Sequence, residues 1–154
     1  MKRASATETI KNHSKHAVRR FLKSMNCAQA ILETYTPAMG LSIETSRRIA
    51  SAFAGGMGMG SECGAVTGAF LVIGLKYGKT LDNDPKADQE TFKRVTEFVK
   101  EFKARNNYIG CSQLLGIDMS TPEGVQEAGK KGLFTKRCPT FILSATEILE
   151  RIIA

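Results

Sequence analysis

The sequence predicts an all-α protein, a compact bundle of about five to seven helices. Three observations lead there. Apolar residues recur at three- and four-residue spacings along most of the 154-residue chain. Asn, Ser, Asp, Pro and Gly stand where those segments should start and stop. No segment reads as a strand, and there is neither an internal repeat nor a linker-like stretch. Residues 1–154 therefore read as one helical domain, with 1–25 as an amino-terminal helical extension.

Val18, Phe21, Leu22 and Met25 repeat at i, i+3, i+4 and i+7, the mark of a first amphipathic helix. Ser24 and Asn26 break and recap the chain. A second helix runs from Cys27 to about Tyr35, closed by Pro37 and Gly40. A third, capped by Ser42, spans Ile43 to about Ala54, with Ile49, Ala50 and Phe53 on one face. Gly55-Gly56-Met57-Gly58-Met59-Gly60 is too rich in glycine for helix or regular strand. It leads into a fourth helix that starts around Ser61–Cys63 and ends near Tyr77-Gly78. That helix carries Gly64, Gly68 and Gly74, each costing roughly 1 kcal/mol against Ala, so close approach of a backbone or a ligand should offset them.

Asp84 as cap and Pro85 as first residue open a fifth helix reaching about Arg105. Its buried stripe is expected at Phe92, Val95, Val99 and Phe102, with Phe98 beside it. Asn106-Asn107 ends it. A short helical turn at Cys111–Leu115 precedes a longer loop rich in Gly, Thr and Lys. The last helix, Pro139 to about Ile153, should bury Phe141, Ala145, Ile148, Leu149 and Ile152.

Composition narrows the function classes. Hydrophobic residues make up 42% of the chain, enough for a real core. The net charge of +7 comes from dispersed cations, and no known nucleic-acid-binding motif is present, so nucleic acid is not an expected partner. The first 25 residues lack the apolar core of a signal peptide. The longest apolar run, Ala69–Leu75, includes Gly74 and falls far short of the ~20 residues that span a bilayer. A cytoplasmic location with reduced thiols is expected.

The four cysteines, Cys27, Cys63, Cys111 and Cys138, form no CxxC pair and lie 36, 48 and 27 residues apart. Each falls at a predicted helix start. Cys27 follows Asn26, Cys63 follows the glycine run and Ser61, and Cys111 follows Gly110. Cys138 would itself be the cap, with Pro139 at the first helical position. Helix starts offer free amide donors and a partial positive charge, both of which favour the thiolate, the reactive and metal-binding form. Lys136 and Arg137 should push Cys138 the same way. Gly64 and Gly68, one turn apart, form a small-residue face against which a cofactor or another cysteine-bearing helix would pack.

The remaining candidates are weaker. His13 and His16 read as surface residues, Met57 and Met59 as packing, and Glu62 as a first-turn carboxylate. No phosphate loop, Ser-His-Asp set or HExxH motif is present.

Asn26-Cys27-Ala28-Gln29-Ala30, then Cys63-Gly64-Ala65-Val66-Thr67-Gly68, then single Cys111 and Cys138, resemble the C-GCAxxG-C-C family of redox-active proteins. The resemblance covers residues 26–154, the four-cysteine region, and implies a redox role with the four cysteines as its hallmark positions. No CxxCH is present, so c-type haem attachment is not expected.

Three readings follow. In the first the cysteines cycle between dithiol and disulfide or pass electrons to a redox partner protein, with Cys63 as attacking thiolate and one of the others resolving it. In the second all four are metal ligands, holding zinc or an iron–sulfur cluster. In the third the cysteines are buried and inert, and the chain is a helical interaction module, a homodimer through its small-residue face. Convergence of four sulfurs on one centre would favour the second reading. Paired sulfurs would favour the first.

Overall fold

A computed structural model describes residues 6–154, with side chains from Asn12 onward. Residues 1–5 of the expected amino-terminal extension lie outside the described residues. The all-α expectation holds: there is no strand among the described residues, and one isolated bridge joins Glu62 to Gly110. The helix number is higher than five to seven. Among the described residues there are eight α-helices of five residues or more and one four-residue turn of helix, with short 3-10 turns between them.

In chain order they are α1 (Ala6–Ser24), α2 (Cys27–Tyr35), α3 (Ile43–Ala50), α4 (Gly64–Tyr77), α5 (Pro85–Asn106), α6 (Cys111–Leu115), α7 (Pro122–Lys130), the short α8 (Leu133–Lys136) and α9 (Cys138–Ile152). The surplus comes from α7 and α8, in the stretch expected to be loop. Thr121 caps α7 by accepting from the Gly124 amide at 3.1 Å, and Pro122 fills its first position.

The centre of the bundle is α4. It is apolar around almost its whole circumference, and Ala65, Val66, Ala69, Val72 and Ile73 are fully buried. It packs on α2, α5 and α9, while α1 lies across α2 and α9. A Cβ on Gly68 would stand 3.0 Å from the Cα of Ala28 and the Cβ of Ile31, and one on Gly64 would stand 2.9 Å from the Cβ of Cys27. These two glycines are therefore offset by the close seating of α2 on α4. Gly74 meets nothing within 4 Å, so no packing reason accounts for it.

Several faces differ from expectation. The buried line of α1 runs through Ser14, Ala17 and Phe21, leaving Leu22 and Met25 about half exposed. Ser14 is small enough to meet α9, where its Oγ accepts from Thr146 Oγ1 at 2.8 Å. In α3, Ile49 is exposed and Ser46 is buried, because Ser46 donates to Thr36 Oγ1 at 2.7 Å. α3 also ends at Ala50 and passes into a 3-10 turn at Ser51–Phe53. The buried side of α5 is Phe98 and Phe102, stacked at 5.8 Å, whereas Phe92 is exposed and Val99 only partly covered. α9 buries all five residues expected of it.

Three helices are joined through one carboxylate. Glu33 of α2, almost fully buried, bonds Arg20 of α1 and accepts from Arg47 Nε of α3 at 2.7 Å. Burial pushes the Glu33 carboxyl up, but the hydrogen bonds from Arg47 and Arg20 outweigh it and hold it below its ordinary range.

Candidate functional site

All four cysteines stand at helix starts. Cys27, Cys111 and Cys138 are the first residues of α2, α6 and α9, and Cys63 caps α4. Cys138 is thus one position further in than expected, with Pro139 second in the helix. All four are free thiols, and none is more than 9% exposed.

Local sequence explains how each is delivered. Asn26 accepts from the Gln29 amide at 2.9 Å and donates to the Ser51 carbonyl at 3.1 Å. Gln29 then donates to the Arg47 carbonyl at 2.9 Å. The start of α2 is in this way tied to the end of α3. Downstream, the glycine run coils through left-handed backbone at Gly55, Gly56, Met57, Gly58 and Gly60. A Cβ on Gly56 would fall 2.3 Å from the Ser61 amide nitrogen, so only glycine admits that coil.

The run ends in the bridge of Glu62 to Gly110. The Cys63 amide donates to the Ile109 carbonyl at 2.8 Å, and the Cys111 amide donates to the Ser61 carbonyl at 2.6 Å. Two cysteines 48 residues apart are thereby set on neighbouring strands of backbone. Glu62 itself bonds the Ser61 hydroxyl, which holds its carboxyl below the ordinary range.

The four thiols are neighbours: Cys63 and Cys138 each lie beside Cys27 and near Cys111. Cys27 interacts with both Cys138 and Cys63, and these contacts, with burial, push its thiol well up. The same contact works in the opposite direction on Cys63. Cys27 acts as donor to it, and that, with the amides of Ala65 and Val66 at the α4 start, outweighs burial and holds Cys63 below the ordinary thiol value. Cys111 is pushed up to about 12, first by burial and then by the neighbouring Cys63 and Cys138. The two cations next to Cys138 are engaged elsewhere. Arg137 donates to the Leu114 carbonyl at 3.0 Å and lies over the Phe141 ring, and Lys136 reaches the Lys131 carbonyl.

Over the cluster opens an apolar cleft of roughly 300 Å³. Cys27, Cys111 and Cys138 line it, and Cys63 does not. Its walls are Phe21, Met25, Leu115, Met119, Val125 and Phe134. Phe21, Met25 and Leu115 fall in segments the sequence reads as helical, whereas Val125 of α7 and Phe134 of α8 had no signal, because that stretch reads as loop. The face of Gly64 and Gly68 is covered by the cysteine-bearing α2 and is not open to a cofactor. Among the described residues, no three His, Cys, Asp or Glu side chains are grouped in a geometry that would hold a metal ion. Among the same residues no helix is long and apolar enough to cross a membrane.

Fold and site together define a helical protein with a buried four-thiol cluster under an apolar cleft. The family model described as "Putative redox-active protein (C_GCAxxG_C_C)" matches residues 25–152, and the chain belongs to that redox-active family. No curated protein and no solved structure gives a match to the chain.

Proposed function

We propose that the protein carries two electrons by cycling Cys27 and Cys63 between dithiol and disulfide. The observation that carries this reading is the contact between a Cys63 held below the ordinary thiol value and a Cys27 held above it. A thiolate beside a protonated thiol is the reduced state from which a disulfide closes. Cys27 also lines the cleft and Cys63 does not, which supports a division of labour. Cys27 meets the oxidant, and Cys63 closes the bond on Cys27 from behind. The pair loses two electrons and the Cys27 proton as the S–S bond forms. Cys138, which also interacts with Cys27, is the alternative resolving thiol.

The test is peptide mapping by mass spectrometry after anaerobic reduction and brief treatment with diamide. The expected product is a single Cys27–Cys63 bond, fully reversed by dithiothreitol and absent in Cys27→Ser and Cys63→Ser. Four free thiols after treatment, or a bond that excludes Cys27, would defeat the reading.

A further inference from the structure

The cleft has chemistry of its own. None of its lining side chains is ionisable apart from the thiols, and none carries a hydroxyl, amide or charged group. A charged oxidant would lose its water there with no partner in exchange. Its volume of roughly 300 Å³ lies at the small end of ligand sites. The three thiols at its base are at most 9% exposed, so the surface of a protein disulfide cannot reach them. Two phenylalanines and two methionines among the walls, Phe21, Phe134, Met25 and Met119, suit a flat aromatic or quinonoid ring.

Resting on the dithiol reading above, we propose that the cleft is a substrate site for a small, uncharged quinone, which oxidises the Cys27–Cys63 pair. The step balances as follows. The Cys27 S–H bond breaks and the S–S bond forms, releasing two electrons and one proton. The quinone takes the two electrons, that proton and a second one from water, and leaves as the hydroquinone. Of the pair, Cys27 lines the cleft and so meets the ring, and Cys63 closes the disulfide from outside the cleft.

The experiment mixes the reduced protein, without oxygen, with duroquinone, a benzoquinone whose ring has no position open to thiol addition. Hydroquinone formation is followed by absorbance and the product bond by peptide mapping. Glutathione disulfide, which is charged, and diamide are run in parallel. Duroquinone should oxidise the Cys27–Cys63 pair about tenfold faster than glutathione disulfide or more, the factor expected from burying an unpaired charge. Val125→Asp, at a half-exposed wall position, should slow the quinone reaction about tenfold, while diamide still yields the same bond. Met25→Asn serves as a second variant, because Met25 sits at φ 53°, a backbone conformation that Asn accepts, and it should slow the quinone reaction as well. If diamide forms the bond but duroquinone is no faster than glutathione disulfide, or both wall variants keep the parent rate, the quinone site is overturned and the dithiol reading stands. If diamide forms no Cys27–Cys63 bond, the dithiol reading fails and the quinone site with it.

Discussion

Cys63 and Cys27 show how one contact can move two thiols in opposite directions. The Cys27 thiol donates and so stabilises charge on Cys63, while its own ionisation would place a second negative charge beside the first. The Ala65 and Val66 amides at the start of α4 add to the effect on Cys63. Removing Cys27 should therefore raise the Cys63 pKa, since the largest lowering contribution goes with it. Thiolate ultraviolet absorbance, titrated on reduced protein, checks this. In Cys27→Ala the first thiol to ionise should do so at higher pH than in the parent. An unchanged or lower first step would mean that the helix start alone, and not the neighbouring thiol, sets Cys63. Conversely, Cys63→Ala should let Cys111 fall from about 12, because the charge of Cys63 contributes to holding it there. The placement of each cysteine at a helix start was legible in the sequence because Asn26, the glycine run, Gly110 and Pro139 punctuate the chain beside it. Which starts meet was not legible, because that depends on a bridge between Glu62 and Gly110 across 48 residues.

Among the elements, the seating of α2 on α4 decides whether Cys27 and Cys63 face each other. Gly68 is needed there because an added methyl would press on Ala28 and Ile31 at 3.0 Å. Gly68→Ala should cost about 1–3 kcal/mol, whereas Gly74→Ala, with open space around it, should gain about 0.5–1 kcal/mol. Urea denaturation of the two variants checks both signs, and equal effects would refute the packing account. α2 is also held by Glu33 between Arg20 and Arg47. The Glu33 carboxyl is lowered in the folded state, so its contribution is fully present above the unfolded glutamate value of about 4.3 and is lost as pH falls through the folded value. Glu33→Gln should cost about 1–3 kcal/mol at neutral pH and weaken the dependence of stability on pH in the acid range. A variant as stable as the parent at neutral pH, with the same acid dependence, would rule this out. Sequence periodicity located the helices of this framework but misplaced several faces. It ranks residues by size and polarity, and small Ser14, Ala17 and Ser46 are buried because close helix contacts need them.

At the scale of the whole molecule, the chain builds one site from helix starts spread between residues 27 and 138, roofed by α7 and α8. The roof was hidden in the sequence because Gly124, Gly129 and Gly132 dilute the apolar pattern, although Thr121-Pro122-Glu123 carries a start signal. Such a construction couples redox state to global stability. A bond between Cys27 and Cys63 closes a loop of 36 residues that the unfolded chain would otherwise leave free. Loop-closure entropy assigns that constraint about 3–4 kcal/mol, and α2 and α4 already lie in contact at the two cysteines in the reduced fold. The oxidised protein should accordingly unfold at a higher urea concentration than the reduced protein, with the gain abolished by dithiothreitol and absent in Cys27→Ser. Equal midpoints for the two redox states would mean that no bond closes this loop. A lower midpoint on oxidation would mean that the thiols must leave their packed positions to pair, which would turn the cluster from a reversible carrier into a site whose oxidation opens the fold.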